Sequence, residues 1–251
     1  MAVKRALSLR PGVEAEVPKT AMVMAAGLGK RMRPLTATRP KPLVELAGKP
    51  MIDHVFDKLK AAGVEKAVVN VHYLADALEG HLDTIDGIDI VVSDEREALL
   101  ETGGGLVKAL PDLTSDPFLS LNSDNFWIDG PSDSLKLLAR HWDDKKMDAL
   151  LLLVPHARAF CHAGKGDFHL DRYGRVRRRE KRKVAPYVFT GIQIVSKRLL
   201  EGAPEGKFST NILWDRAIEQ GRLYGTVHQG LWFDVGRPQS ITQTEAALHH
   251  E

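Results

Sequence analysis

Short apolar runs alternating with helix-period stretches constrain this chain more than any other feature. Thr20 to Ala26 (T-A-M-V-M-A-A) reads as a buried parallel strand that ends at Gly27. Met51, Ile52, Val55, Phe56, Leu59 and Ala62 recur at helical spacing, so a helix is predicted over 50–62 with Gly63 as its stop. The same alternation continues with strands at 66–71, 88–92, 118–121 and 149–154 and helices at 74–82, 106–110 and 132–142. Such a rhythm predicts an α/β fold with a mixed, mainly parallel sheet and helices on both faces. The second half changes character. It predicts a hairpin over 167–178 turning at Tyr173-Gly174, a long strand at 187–195, and a helix at 209–219 capped by Ser209. A short strand at 232–235 and a last helix at 238–249 follow. Residues 1–19 carry no period and read as a lead-in.

Composition removes several classes of function. The chain holds 35 Lys and Arg against 33 Asp and Glu, a net charge of +2, so nothing global argues for nucleic-acid binding. A single cysteine, Cys161, excludes an internal disulfide framework and a four-cysteine zinc site, and suits a reducing compartment. No uncharged apolar stretch is long enough to span a membrane, and no apolar core of a signal peptide is present near the N-terminus. The expectation is a cytoplasmic protein with small-molecule partners.

The densest chemistry follows the first strand. Gly27-Leu28-Gly29-Lys30-Arg31-Met32-Arg33-Pro34 joins flexible backbone to three cations. Glycines allow close backbone approach and expose consecutive N–H groups, as phosphate requires. Met32 occupies the third-glycine position of the dinucleotide fingerprint, and the P-loop spelling is absent. The glycines alone would suit a structural turn with a solvated basic face; the cations turn the reading toward a polyphosphate. Lys41, held between Pro40 and Pro42, presents an ammonium in a set direction, suited to charge on a phosphoryl oxygen. Glu101-Thr102-Gly103-Gly104-Gly105 is expected to precede a helix and to permit close approach of a base, a phosphate or simply a tight turn. Asp124 ends an apolar strand, where ligands of open α/β sheets bind, and is a candidate Mg²⁺ ligand as well as a candidate turn or cap residue. Asp234, in Trp232-Phe233-Asp234-Val235-Gly236, would complete a two-carboxylate site if the two acids converge. Arg175 to Lys183 holds seven cations and one acid and reads as a solvated face or loop, with RNA binding the sharper alternative. The histidines, among them His72, His81, His156, His162 and His169, are scattered and read as ordinary polar residues.

Ala25 to Pro42, then Gly48-Lys49-Pro50-Met51-Ile52, resembles the signature of the sugar-phosphate nucleotidylyltransferases. The resemblance runs on through Asn122-Ser123-Asp124, Gly166-Asp167-Phe168, Phe189-Thr190-Gly191-Ile192 and Trp232 to Gly236, covering about residues 20–245. Its spellings are most similar to the short bacterial N-acetylmuramate 1-phosphate uridylyltransferases of peptidoglycan recycling, whose relatives are often labelled mannose-1-phosphate guanylyltransferases. The resemblance implies a Rossmann-like core over 20–251, with a nucleotide-binding half to about residue 130 and a sugar-binding, metal-completing half after it. It implies that Gly27, Gly29, Lys30 and Arg31 hold the triphosphate, Arg31 facing the leaving pyrophosphate. Lys41 would contact the α-phosphate or the sugar phosphate, and Gly103 and Gly104 would pack near the base. Asp124 and Asp234 would hold Mg²⁺, and Asn122 and Asp167 would meet the sugar phosphate. Glu180-Lys181 is similar to the start of the family's E-K-P sugar loop, with Arg182 in place of the proline. The cations at Arg177 to Arg179 would then suit a muramate carboxylate.

The expected reaction is attack of a sugar-1-phosphate oxygen on the α-phosphorus of UTP, with Arg31, Lys41 and Asp124 in the catalytic machinery. Guanylyl or thymidylyl transfer to mannose or glucose 1-phosphate is the nearest alternative. A catalytically silent nucleotide-sugar sensor is the alternative from another class. The expected assembly is a monomer or small homo-oligomer. With the sequence ending near residue 251, the β-helical acyltransferase that some family members carry is not expected.

Overall fold

The computed structural model describes residues 16–248; the first fifteen residues of the expected lead-in, and His249 of the expected last helix, lie outside the described residues. The strands are β1 Thr20–Met24, β2 Glu45–Leu46, β3 Lys49–Pro50, β4 Lys66–Val71, β5 Asp89–Asp94, β6 Phe118–Asn122, β7 Asn125–Ile128, β8 Ala149–Pro155, β9 Ala159–Phe160, β10 Phe168–Leu170, β11 Val176–Arg178, β12 Tyr187–Val195, β13 Leu223–Val227 and β14 Leu231–Asp234. The helices are α1 Met51–Ala61, α2 Ala75–Leu82, α3 Glu101–Ala109, α4 Ser134–His141, α5 Asn211–Glu219 and α6 Pro238–Leu248.

The main sheet has nine strands. Along β11-β10-β12-β6-β1-β4-β5 the pairs β6-β1, β1-β4 and β4-β5 are parallel, while β12 runs against β6, β8 and β10. β13 extends the sheet parallel to β8. All strands of this sheet except β11 and β12 therefore point one way, and the mainly parallel α/β expectation holds. The strands read as continuous apolar runs because both faces are covered: Leu150 to Val154 and Ala21 to Val23 are wholly buried. Val55, Phe56 and Leu59 press α1 onto one face, and Leu106 and Ala109 of α3 join Trp214 and Ala217 of α5 on the other.

Some elements differ from expectation. The glycine triplet lies inside α3, not before it. Helix propensity disfavours glycine there by roughly 1 kcal/mol each, but packing overrides propensity. A Cβ on Gly103 would fall 2.3 Å from the Phe208 ring, and one on Gly104 2.2 Å from the Gly206 carbonyl oxygen. Thr210, not Ser209, takes the N-cap position of α5; the Ser209 hydroxyl accepts from the Asn211 amide at 3.3 Å. β7 and β13 have no counterpart among the expected strands. β13 (L-Y-G-T-V) carries a glycine at its centre, where a Cβ would meet Leu153 at 2.7 Å. The hairpin over 167–178 forms as expected, with Phe168 opposite Arg178.

His228 is buried between Ser134, whose hydroxyl lies 3.1 Å from Nδ1, and the Leu231 carbonyl, 3.1 Å from Nε2. Burial pushes its imidazole below the usual 6.5, against the opposing pull of the Leu231 carbonyl and the Asp129 charge. The unfolded chain therefore takes up this proton before the folded chain does. Its contribution to stability is complete above the unfolded value and is lost as pH falls through it toward the folded value. The melting temperature should drop between about pH 7 and about pH 5, and His228→Gln should flatten that slope. An unchanged slope in the variant would assign the acid sensitivity to other groups.

Candidate active site

The connection between β1 and α1 runs from residue 25 to 50, where βα loops are usually about 2–6 residues long. It lies at the carboxyl ends of β1, β4 and β6, the edge of an open α/β sheet at which ligands bind. A buried polar chain shapes its start. The Ala25 amide donates to Asn70 Oδ1 at 2.7 Å, Asn70 Nδ2 donates to Glu95 Oε1 at 2.8 Å, and the Leu100 amide donates to Glu95 Oε2 at 3.0 Å. Gly105 makes room for this chain, since a Cβ there would sit 3.0 Å from Glu95 Oε1. Sequence reasoning misses Asn70 and Glu95; the one signal is an asparagine inside the apolar run K-A-V-V-N-V.

Further along the loop, Gly29 takes a left-handed conformation at φ +60°. A Cβ there would crowd Thr36 at 3.0 Å and Lys41 at 3.2 Å. Thr36 closes the loop by donating from its hydroxyl to the Gly29 carbonyl at 2.8 Å. Lys30 to Met32 form a single 3-10 turn in which Lys30 and Arg31 are exposed and Met32 is fully buried. Met32 belongs to a small core with Val44, Leu46, Met51, Phe233 and Val235. The residue that spoils the dinucleotide fingerprint thus anchors the loop to the strand that bears Asp234.

The two acids converge. β7 runs antiparallel to β14 with Asn125 opposite Asp234, so Asp124, in the turn just before β7, lies next to that pair, and Lys41 acts on both acids. Lys41 Nζ donates to Asp124 Oδ2 in a mostly buried pair, the lysine side chain being 12% exposed. His162 Nδ1 lies 3.0 Å from Asp234 Oδ2. Burial works to raise the Asp234 carboxyl, but the His162 hydrogen bond and the charges of His162, Arg31 and Lys41 outweigh it and hold the group below the usual carboxylate range. His162 therefore joins the site from among the histidines read as ordinary; no spacing signal marks it.

Three cavities meet this constellation. One of about 380 Å³ is lined by Ala25 to Gly27, Lys41, Asn70, Glu101, Thr102, Asn122 and Asp124. A second, about 240 Å³, shares Met24, Thr102, Asn122 and Ser209 with it and adds Phe189, Gly191, Gln193 and Trp214. The third, about 290 Å³, is lined by Arg31, His162, Asp234 and Arg237. Gly103 and Gly104 line none of them. Their amides donate to the Phe208 carbonyl at 2.9 and 3.2 Å, so packing against 206–208 is their role, and Glu101 and Thr102 face the cavity instead. Asp167 also stands apart from the cavities: its Oδ2 accepts from the Phe189 amide at 2.9 Å. Glu180 and Lys181 are exposed in the β11–β12 loop, and Glu180 pairs with Lys183 at 2.5 Å. Arg178 binds Asp215 at 2.7 Å and stacks on Phe168 and Trp214, while Arg179 donates to the Gly166 carbonyl at 2.9 Å. Two cations of the supposed muramate-binding run thus hold α5 and the 166 turn in place.

Asp124 and Asp234 supply hard carboxylate oxygens, and no group of three His, Cys, Asp or Glu residues forms a closed metal cage among the described residues. Such a donor set fits Mg²⁺, which takes one or two carboxylates and completes its shell with phosphate oxygens and water. Burial pushes the Cys161 thiol up, away from the thiolate form that a nucleophile needs. No helix among the described residues is long and apolar enough to cross a membrane.

A glycine-and-cation loop, a fixed lysine and two neighbouring acids at the carboxyl edge of a parallel sheet suit the handling of phosphate groups. Consistent with this, residues 20–251 match the family model for nucleotidyl transferases, and the chain belongs to that family of enzymes. It is 44% identical over 237 residues to the N-acetylmuramate alpha-1-phosphate uridylyltransferase of Caulobacter vibrioides, covering 93% of this chain and 98% of that one. The enzyme of the same name from Neisseria meningitidis serogroup B is 34% identical over 232 residues, covering 90% and 96%. Among solved structures, the inositol-1-phosphate CTP transferase of T. maritima superposes with a TM-score of 0.76 at 18% identity, covering 93% and 96%, and shares the fold.

Proposed function

We propose that the protein transfers a uridylyl group from UTP to N-acetylmuramate 1-phosphate, giving the UDP-sugar and pyrophosphate, with Mg²⁺ as cofactor, in cytoplasmic peptidoglycan recycling. The observation that carries the reaction is the convergence of Asp124 and Asp234 around Lys41. The choice of base and sugar rests on the two relatives similar along nearly their whole length.

The cavity with Gly27, Lys41, Glu101 and Thr102 would take the nucleotide, and the contiguous one with Asn122, Phe189 and Trp214 the sugar. A phosphate dianion is already a nucleophile, so no side chain needs to be modified covalently. Catalysis then rests on positioning and charge neutralisation. Lys41, stiffened between prolines and held by Asp124, presents its ammonium where the α-phosphate and the attacking phosphate meet. Lys30 and Arg31 offer exposed cations to the triphosphate, and Arg31 stabilises the departing pyrophosphate. Asn122 bridges the two cavities and orients the sugar phosphate. Asp124 and Asp234 would hold Mg²⁺, which would supply Lewis-acid neutralisation of phosphoryl charge.

The test is pyrophosphate release over a grid of UTP, GTP, dTTP, CTP and ATP against N-acetylmuramate, N-acetylglucosamine, glucose and mannose 1-phosphates. The expected result is one dominant combination, UTP with N-acetylmuramate 1-phosphate. Dominance elsewhere would replace the substrate and keep the mechanism; silence from folded, nucleotide-binding protein would remove the reaction.

A further inference from the structure

Across the middle of the main sheet one row of paired residues runs Leu151, Gln193, Ser120, Met22 and Val68, on β8, β12, β6, β1 and β4. Residues paired in this way share a face of the sheet. Leu151, Met22 and Val68 are wholly buried in the apolar core that α3 and α5 cover. Two polar side chains stand at the centre of the row: Gln193 is 4% exposed and Ser120 3%. Burying a polar group costs free energy unless it is hydrogen-bonded. Here the requirement is met only in part. Trp214 Nε1 donates to Gln193 Oε1 at 3.1 Å. An indole nitrogen can only donate, so this contact fixes the carboxamide with its oxygen toward Trp214. Among the described residues, nothing pairs with Gln193 Nε2 or with the Ser120 hydroxyl.

Both residues line the sugar-side cavity of about 240 Å³, and among the described residues lining it none is charged. Gly191 leaves room there: its φ is +82°, and a Cβ would fall 2.6 Å from Asn122 Nδ2. Phe189 and Trp214, with ring centroids 4.9 Å apart in an edge-on contact, supply an aromatic wall. The cavity thus combines an N–H donor, a hydroxyl able to accept, an apolar surface and no cation. A secondary amide with a short alkyl group matches that set. Its carbonyl oxygen accepts from Gln193 Nε2, its N–H donates to Ser120 Oγ, and its methyl meets the aromatic wall. A carboxylate would find no counter-charge among these residues. A bare hydroxyl is too short to satisfy both polar groups and fill the apolar space, and buried groups left unpaired reject such a ligand.

We propose that Gln193 and Ser120 are specificity-determining residues that read an acylamino substituent of the sugar, with Trp214 locking the Gln193 carboxamide in the orientation this needs. The inference rests on the proposed placement of the sugar in this cavity, and it deepens that reading by naming the substituent and the side chains that select it. The substrate class is then the 2-acylamino sugar 1-phosphates. A lactyl carboxylate, where the sugar carries one, lies outside this neutral cavity.

The experiment compares ligands that differ only at that substituent. Calorimetric titration of the full-length protein with UDP-N-acetylglucosamine and with UDP-glucose, in the presence of Mg²⁺, requires no turnover. Wild type should bind the acetylated ligand about ten- to a hundredfold more tightly. Gln193→Met, close in volume but without donors, should bring that ratio to within about threefold, mainly by weakening the acetylated ligand. Gln193→Glu keeps an oxygen for Trp214 and loses the N–H for the ligand, so it should lose the preference as well; a residue serving only to hold Trp214 would retain the preference in that variant. Ser120→Ala should lower the ratio severalfold, and it carries the test if the Gln193 variants do not fold, as judged by their melting temperatures. In turnover, kcat/KM for N-acetylmuramate 1-phosphate relative to muramate 1-phosphate should fall in parallel. A wild-type ratio near one, binding of neither nucleotide sugar, or a ratio unchanged in the folded variants would each overturn the assignment, while an active substrate grid would leave uridylyl transfer standing. A silent grid with a Gln193-dependent preference in binding would sink the uridylyl reading alone.

Discussion

Asp124→Asn should lower kcat by about a hundred- to a thousandfold and leave the KM for UTP within a few-fold, because charge neutralisation at the reacting phosphates is realised mainly in the transition state. The substitution is nearly isosteric, so the loss reports charge and not shape. The carbonyl oxygen of the introduced amide would still accept a hydrogen bond from Lys41, which keeps that ammonium close to its place. What disappears is one of two carboxylates able to hold a divalent cation, together with the negative partner of Lys41. Steady-state kinetics over a range of Mg²⁺ concentrations, with Mn²⁺ binding followed by its electron-spin resonance, separates these effects. Near-full activity with undiminished Mn²⁺ affinity would reject Asp124 as a metal-holding residue.

Gly104→Ala should lower the melting temperature by about 4–8 °C, corresponding to about 2 kcal/mol for a chain of this size. Two effects compete. Alanine favours a helix over glycine by about 1 kcal/mol. Against this, the new methyl would meet the Gly206 carbonyl oxygen at 2.2 Å, and that obstacle is backbone, which yields less readily than a flexible side chain. Overpacking of this kind costs about 1–3 kcal/mol, more where nothing can move, so the clash outweighs the propensity. Gly80→Ala supplies the control. Gly80 lies in α2 with nothing within 4 Å of its would-be Cβ, and only the propensity gain remains, so that variant should melt at or slightly above wild type. A Gly104→Ala protein as stable as wild type would mean that the 206–208 segment gives way freely and that the triplet is no packing device.

Much of the parallel core is legible in the sequence because its signals are local. β1, β4, β6 and β8 are apolar runs, α1 has a clear helical face, and each is bounded by residues that end it. β7 is not legible, since N-F-W-I is short and follows β6 after only two residues; its pairing with β14 creates it. The glycine triplet misleads for a related reason. Propensity describes an isolated helix, whereas α3 is stabilised by its contacts with Phe208, Gly206 and the Glu95–Asn70 pair. Among site residues, Lys41, Asp124 and Arg31 can be singled out from their settings. Asp167 and Arg179 cannot be told from substrate-facing residues, because a carboxylate bound to a backbone amide and one open to a ligand are spelled alike.

By itself the sequence determined the α/β class, the family resemblance and the chemistry available at the loop after β1, since these depend on residue type, periodicity and short spacing. Only the tertiary structure decided that Asp124, in the turn before β7, and Asp234, far off in the chain, come together at Lys41, because the pairing of β7 with β14 is set by side chains packing in the small core around Phe233. It alone placed His162 on Asp234 and brought Arg31 close enough for its charge to help hold that carboxyl low. Charge balance depends on distance in space, which no local pattern along the chain encodes.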